Sequence, residues 1–377
     1  MRFQLRKVAA VALAAGSLAA CATAGRRPAA TPVVAVASPP SYRQAWVYAP
    51  SPRVPPAPPS IANAAPPSAF AALPGWIDDD HAAALAAFEK GCEVTRDAAL
   101  AGVCGRALML GPADEAAARA FLEANFRPEA IPEQGLLTAY FSPVYEARSS
   151  AGGAFTAPVR PRPADLGAAG DRAAIETRPA TGALAWMRPE DLFFLQIQGS
   201  GVLVFPTGAR MRAIFDGTNG APFVGIAAPM RQAGLLADED SSADAIRNWL
   251  AVNRGEGAAR IMALDPRYVF FRLGPDDGGD PAGAAGAPLI AGRSVAVDPA
   301  SHPLGEMVWL DASAPALDGA FPTYRRLAVA LDTGGAIKGE ARADLYLGEG
   351  AAAGLEAGRV RHALRLYRLT PLDGPAS

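Results

Sequence analysis

The chain has 377 residues, half of them hydrophobic and 19% charged, and a formal net charge of −2 at pH 7. Its basic residues are mostly arginine and are scattered without a cationic stripe, which argues against nucleic acid as the main partner. With the ends set aside, about 300 residues remain, enough for two compact domains.

Residues 1–21 read as an export signal. Arg2, Arg6 and Lys7 form a positive start. Val8 to Ala20 is uncharged, apolar and too short to span a bilayer. The run ends in Leu18-Ala-Ala-Cys21, which resembles a bacterial lipobox. There Cys21 is lipidated and becomes the first mature residue; ordinary cleavage after Ala22-Thr-Ala24 is the alternative. Acyl chains hold a protein at a membrane without a spanning helix. Ala22 after the cysteine resembles the bacterial sorting pattern for the outer membrane, so the expected location is the periplasm, anchored to that membrane as a lipoprotein. Residues 22–75 are rich in Pro, Ala and Ser and keep no helical or strand period; they read as an extended tether.

Residues 76–148 carry a helical segment and the first part of a main domain, with helix expected from Ile77 to Ala130. Asp78 to Asp80 suit a helix start. Leu85, Phe88 and Cys92 form an apolar stripe at helical spacing. Cys92 and Cys104 lie on either side of a turn in this segment. In an exported chain they pair as a disulfide, or else remain two small buried thiols. His81, His302 and His362 are far apart and no metal-binding spacing occurs, so no metal site is expected; the sequence gives no cofactor requirement, and none is expected. After Pro132, short runs rich in Val, Phe, Tyr and Leu alternate with Gly, Pro and Asp clusters, the signature of β-barrels or sandwiches. Residues 149–234 read as an inserted, mostly β domain. Residues 235–372 read as the second part of the main domain, interrupted by a helix at Asp244–Ala251. Asp276 to Ala287 has no period and reads as an exposed excursion.

The most informative stretch is Leu327 to Gly348, LAVALDTGGAIKGEARADLYLG. Two strand-like runs enclose a glycine-rich loop with a carboxylate at each end, Asp332 and Asp344. Glycines let the backbone take positive φ and approach a ligand closely. An aspartate before glycine is also a common turn residue. Lys338 and Gly339 lie on the loop. Lys338 is one of very few lysines, and it either meets substrate, sets the charge at Asp344 or stays solvated. Gln198-Gly199-Ser200-Gly201 offers donors and acceptors suited to a sugar, or a plain turn. Thr138 and Tyr140 alternate on a strand and face one side. Tyr140 either stacks on a sugar ring or fills the core. Gln196 and Gln198 share a side by the same reasoning.

Four segments in this order resemble the MltA family, the membrane-bound lytic murein transglycosylases A. Leu327–Gly348 looks like the family's C-terminal three-aspartate (3D) domain, with Asp298 of Gly292-Arg-Ser-Val-Ala-Val-Asp-Pro299 as its third aspartate. Gly135-Leu-Leu-Thr-Ala-Tyr-Phe-Ser-Pro-Val-Tyr-Glu-Ala-Arg148 resembles a second family segment. Phe194-Leu-Gln-Ile-Gln-Gly-Ser-Gly201 with Asp216-Gly-Thr-Asn-Gly220 resembles a third, and Asn253–Phe271 resembles the link between the family's halves. The resemblance implies a mainly β fold: a double-psi β-barrel main domain, a smaller inserted β-barrel and a cleft between them. It also implies a peptidoglycan lytic exotransglycosylase, a lyase that cuts the β-1,4 MurNAc–GlcNAc bond and leaves 1,6-anhydromuramoyl products. Asp344 matches the position of the single general acid/base, with Asp332 beside it and Asp298 in support. Thr138, Tyr140, Gln198, Gly199, Ser200, Lys338 and Gly339 become candidates for holding the glycan strand.

The residues alone leave end-on and internal attack both open, and they leave open whether cell-wall synthesis complexes supply protein partners. Two other classes remain as alternatives. The barrel could bind peptidoglycan without turnover. Asp332-Thr-Gly334 also resembles the D-T-G of aspartic proteases, where two such carboxylates share a proton, but the chain carries it once.

Overall fold

In the computed structural model the continuous apolar run Leu327–Leu331 is a strand covered on both faces. Leu327, Val329 and Leu331 pack outward under helices, while Ala328 and Ala330 point into a barrel with Val295, Val308, Leu345 and Leu364. A strand buried on both sides loses the polar alternation of a half-exposed one, which is why this segment reads as an unbroken hydrophobic run. Residues 69–166, 169–237, 242–315 and 319–372 are described, all within the unit Asn63–Ser377. The export signal, Cys21 and most of the tether lie outside the described residues. The tether is shorter than expected: Phe70 and Leu73 are buried with Trp76, so the folded body includes residues 69–75.

Helices α1 (His81–Cys92), α2 (Ala98–Leu110) and α3 (Glu115–Asn125) come first, followed by strands β1 (Phe126–Ala130), β2 (Gly135–Ser142) and β3 (Val144–Glu146). Next are β4 (Ala157–Val159), α4 (Arg172–Glu176), β5 (Ala185–Met187), α5 (Pro189–Gln198), β6 (Gly201–Val204) and β7 (Arg210–Thr218). Helices α6 (Ala227–Gln232), α7 (Ala243–Val252) and α8 (Glu256–Met262) precede β8 (Val269–Pro275). The chain ends with β9 (Ser294–Val297), β10 (Met307–Ser313), β11 (Thr323–Thr333), β12 (Arg342–Glu349), α9 (Gly350–Ala357) and β13 (Arg361–Pro371).

The first three helices start where aspartates cap them. Asp80, Asp97 and Asp114 accept from the amides of Ala83, Ala99 and Ala117, each at 2.9 Å. Cys92 and Cys104 form a disulfide between α1 and α2, and the bridged residues are 12 apart in sequence. Helix does not persist to Ala130: Phe126–Ala130 is β1, paired with β13. Pro128 inside that run lacks the amide a helix needs.

Strands β13, β10, β11, β9, β12 and β2 pair in that order, and β2 pairs back to β13, closing a six-stranded barrel. One edge of β13 serves two partners, β2 at Arg361–Leu364 and β1 at Tyr367–Pro371. The second lobe is mixed rather than mostly β. Its sheet, β3-β6-β7-β8, is open among the described residues, with β4–β5 as a separate ribbon. The sheet takes β3 and β8 from outside 149–234, so the lobe runs from Val144 to Pro275. Phe193 of α5 shares a core with Met230, Ile246, Leu250 and Met262 of α6, α7 and α8. The architecture is therefore α/β with a six-stranded barrel.

Candidate active site

Two carboxylates share the outer face of the barrel wall. Asp332 lies at the end of β11 and Asp344 in β12, and the glycine-rich loop between them crosses over β9. Each pairs with Ala296 of β9, one from either side. Their backbones are thus two strand spacings apart, about 10 Å, with only a methyl group between them at that level. The register of β11 against β9 shifts between Ala330 and Asp332. Such a bulge re-aims a side chain, and it brings Asp332 out beside Leu331 instead of into the barrel interior. Among the described residues the two carboxylates hydrogen-bond to different partners, Asp344 to Thr138 and Asp332 to Tyr140.

Strand β2 lies parallel to β12, with Thr138 opposite Asp344 and Tyr140 opposite Tyr346. Period-two alternation puts all four side chains on one face. The Thr138 hydroxyl donates to Asp344 Oδ1. Arg342 Nη2 donates to the same hydroxyl oxygen at 2.8 Å. A guanidinium accepts nothing, so the single hydroxyl proton is left for the carboxylate. Asp344 Oδ2 makes no hydrogen bond to the described residues. Tyr140 OH donates to Asp332 Oδ2 at 2.7 Å, and the Ala284 and Thr333 amides donate to Oδ1 at 2.9 Å. Asp332 is thus fully engaged, whereas Asp344 keeps one oxygen free.

Burial pushes the Asp344 carboxyl above its usual range; Thr138 and Arg342 pull the other way, and the Asp332 charge adds to the push. Asp344 keeps some exposed surface, but protein crowds it closely enough to strip water from the charged form. Burial also raises Asp332, against the pull of its Tyr140, Ala284 and Thr333 hydrogen bonds.

The other predicted residues fall into two groups. Asp298 accepts from the Gly339 amide at 2.9 Å and the Ala300 amide at 3.3 Å, and it pairs with Lys338 at 3.4 Å. The Gly339 amide, then Ala300 and Lys338, hold it below the usual carboxylate range. Asp298 therefore clamps the far end of the glycine loop, where Gly339 takes φ 99°. Lys338 meets Asp298, not Asp344, and its side chain is 62% exposed. Gln198 Oε1 accepts from the Phe141 amide at 3.2 Å, tying α5 to the end of β2. Gly199 ends that helix at φ 83°, and Ser200 leads into β6. The strand expected at Gln196 and Gln198 is helix α5. Gln196 is buried there, accepting from Arg172 at 2.5 Å and donating to the Val269 carbonyl at 3.2 Å.

Two features escape the sequence argument. Arg342 lies two residues before Asp344, within reach of the same period-two reasoning that joins Thr138 and Tyr140. The segment Asp276–Ala287 is largely exposed, as expected, but it is also strapped to the barrel wall. Ala284 donates to Asp332, Ala285 N donates to the Leu331 carbonyl at 3.0 Å, and Asp280 accepts from Tyr346 OH at 2.8 Å. Backbone amides carry no sequence signature, so this clasp is invisible before folding.

Residues 136–272 match the family described as the MltA specific insert domain, and residues 293–370 match the 3D domain. A Vibrio cholerae protein, membrane-bound lytic murein transglycosylase A, is 33% identical over 247 residues. The match spans 64% of this chain and 66% of the length of that curated relative. The crystal structure of a membrane-bound lytic murein transglycosylase from Agrobacterium tumefaciens is 31% identical with a TM-score of 0.72, covering 80% of this chain and 96% of that one. The structure of Escherichia coli MltA with bound chitohexaose is 28% identical with a TM-score of 0.65, covering 78% of this chain and 90% of that one.

Proposed function

The chain belongs to the MltA family of membrane-bound lytic murein transglycosylases, and on that premise we propose that it is a lytic transglycosylase that cleaves the glycan strands of peptidoglycan. In this reading the β-1,4 bond between MurNAc and GlcNAc breaks and a 1,6-anhydromuramoyl end forms. Asp344 is the single general acid/base. The carrying observation is its environment: a carboxyl raised by burial, oriented through Oδ1 by Thr138, with Oδ2 free.

The chemistry follows from those groups. Protonated Asp344 delivers its proton from Oδ2 to the glycosidic oxygen as the C1–O bond breaks, so the GlcNAc side leaves as an alcohol. The C6 hydroxyl of the same muramyl ring attacks C1 and closes the anhydro bridge. Its proton returns to Asp344, which is ready for another cycle. The nucleophile belongs to the substrate, so its high effective molarity replaces an activated water. One carboxyl then suffices where most glycosidases need two. Asp332 keeps Asp344 protonated through its charge, and Tyr140 fixes Asp332. The chitohexaose bound to the Escherichia coli relative supports a glycan ligand, and in this reading the strand lies between the barrel and the second lobe. A double-psi crossing of the barrel strands, anchoring through Cys21 to the outer membrane, and action from chain ends belong to the same reading.

Asp344→Asn tests it. General acid–base catalysis contributes about 10²–10⁴-fold, so turnover of isolated sacculi should fall at least that far while binding to them persists. Near-normal turnover moves the acid elsewhere, with Asp332 first in line.

A further inference from the structure

The second lobe carries an arginine with no counter-ion. Arg267 precedes β8, and among the described residues its guanidinium makes no hydrogen bond or ion pair although it is half-buried. Burial lowers its pKa, with only Asp265 opposing. Asp265 is already committed: it accepts from the Val224 amide at 3.0 Å and the Arg267 amide at 3.2 Å, and it lies 3.5 Å from Arg172. Arg172 also holds the Arg267 carbonyl at 2.5 Å. The Arg267 backbone is therefore fixed while its charge is left unanswered.

That charge lies against the loop between the two aspartates. A Cβ built on Gly335 would fall 1.7 Å from Arg267 Nη1 and 2.9 Å from Cζ. Gly335 is thus the place where the guanidinium reaches the barrel, three residues from Asp332. An uncompensated, partly desolvated cation is costly to a fold, and such violations concentrate at functional sites. A guanidinium fork suits one ligand group above others, a carboxylate held by two parallel hydrogen bonds. The sugar rings of a glycan carry no charge. The muramyl side group does, through its lactyl carboxylate or the carboxylates of an attached peptide.

We propose that Arg267 is a carboxylate-binding residue that recognises the muramyl side group of the strand being cut; this rests on the peptidoglycan reading above. Its position makes it a specificity residue supplied by the second lobe to a reaction carried out on the barrel.

The test measures binding apart from turnover. Three GlcNAc–MurNAc tetrasaccharides are titrated against Asp344→Asn protein, with and without Arg267→Gln. One bears peptides with free carboxylates, one a free lactyl carboxylate, and one a neutral lactyl amide. The Asp344→Asn protein should bind at least one carboxylate form about 10-fold more tightly than the amide, and Arg267→Gln should abolish that preference while leaving amide binding in place. Which form is preferred identifies the source of the carboxylate. Gly335→Ala should act like Arg267→Gln, and the pair should be non-additive, because the added methyl displaces the same guanidinium. Equal affinities for all three ligands, or a preference that survives Arg267→Gln, overturns the assignment. Turnover by the wild type is assayed separately on intact sacculi. Absence of anhydro product there defeats the transglycosylase reading, whatever the binding shows.

Discussion

At the scale of single residues, the proposed acid Asp344 would trade stability for chemistry. Its folded-state pKa is raised, so the carboxyl favours folding at low pH and loses that contribution as pH rises through the raised value. Asp344→Asn removes the ionisation cost and keeps the shape. The variant should therefore melt at a higher temperature than the wild type at neutral pH. The gap should shrink as pH falls towards about 4, the usual carboxyl pKa. Calorimetry across that range checks it, and a gap that widens on acidification contradicts the assigned direction. Thr138 acts oppositely, since its hydroxyl favours the charged form. Thr138→Val should displace the alkaline limb of the turnover profile to higher pH, because a more basic acid stays protonated longer. Arg342→Met should move the limb the same way, since removing that cation also raises the carboxyl. Unmoved limbs in both variants would take the titrating group away from Asp344.

At the scale of elements, the disulfide fastens α1 to α2 in the layer that covers the barrel. A loop of 12 residues closed by a disulfide typically contributes about 2–4 kcal/mol. Replacing both cysteines by alanine should lower the melting temperature by several degrees with the site chemistry unchanged. An unchanged midpoint would deny the bridge its stabilising part. The same scale shows which elements are legible in the chain. Leu327–Leu331 reads as a buried strand because it is buried on both faces, and Asp332 and Asp344 stand out through the glycines between them. Helix α5 misleads because Leu192-Phe-Phe-Leu195 has the composition of a strand. Its helix signals are local: Pro189 at the start, Glu190 and Asp191 in the first turn, and Gly199 at the end. In β1, Pro128 carries the corrective signal. The passage of the glycine loop across β9 and the bulge before Asp332 depend on pairing between distant segments, which a linear period cannot encode.

At the scale of the molecule, the barrel supplies the carboxylates and the second lobe leans on them. Glu349, five residues past Asp344, binds Arg210 of β7 at 2.8 Å, and Asp276 binds Arg210 at 2.6 Å and Arg212 at 2.7 Å. These contacts, with Gln198 on Phe141 and Arg267 on Gly335, join the two lobes beside the proposed site. No helix among the described residues is long and apolar enough to cross a membrane. Membrane attachment in this account rests on Cys21. Cys21→Ala should release the protein into the soluble periplasmic fraction, and a variant as membrane-bound as the wild type would refute lipid anchoring.

The central claim is that Asp344 drives intramolecular closure of the muramyl ring in peptidoglycan. Mass spectrometry of muropeptides released from purified sacculi tests it most directly, because an anhydro end lacks one water relative to a hydrolysed end. The wild type should release products with 1,6-anhydromuramoyl ends, and Asp344→Asn should release almost none while still sedimenting with the sacculi. Reducing ends in place of anhydro ends, or anhydro products at wild-type levels from Asp344→Asn, would contradict the account.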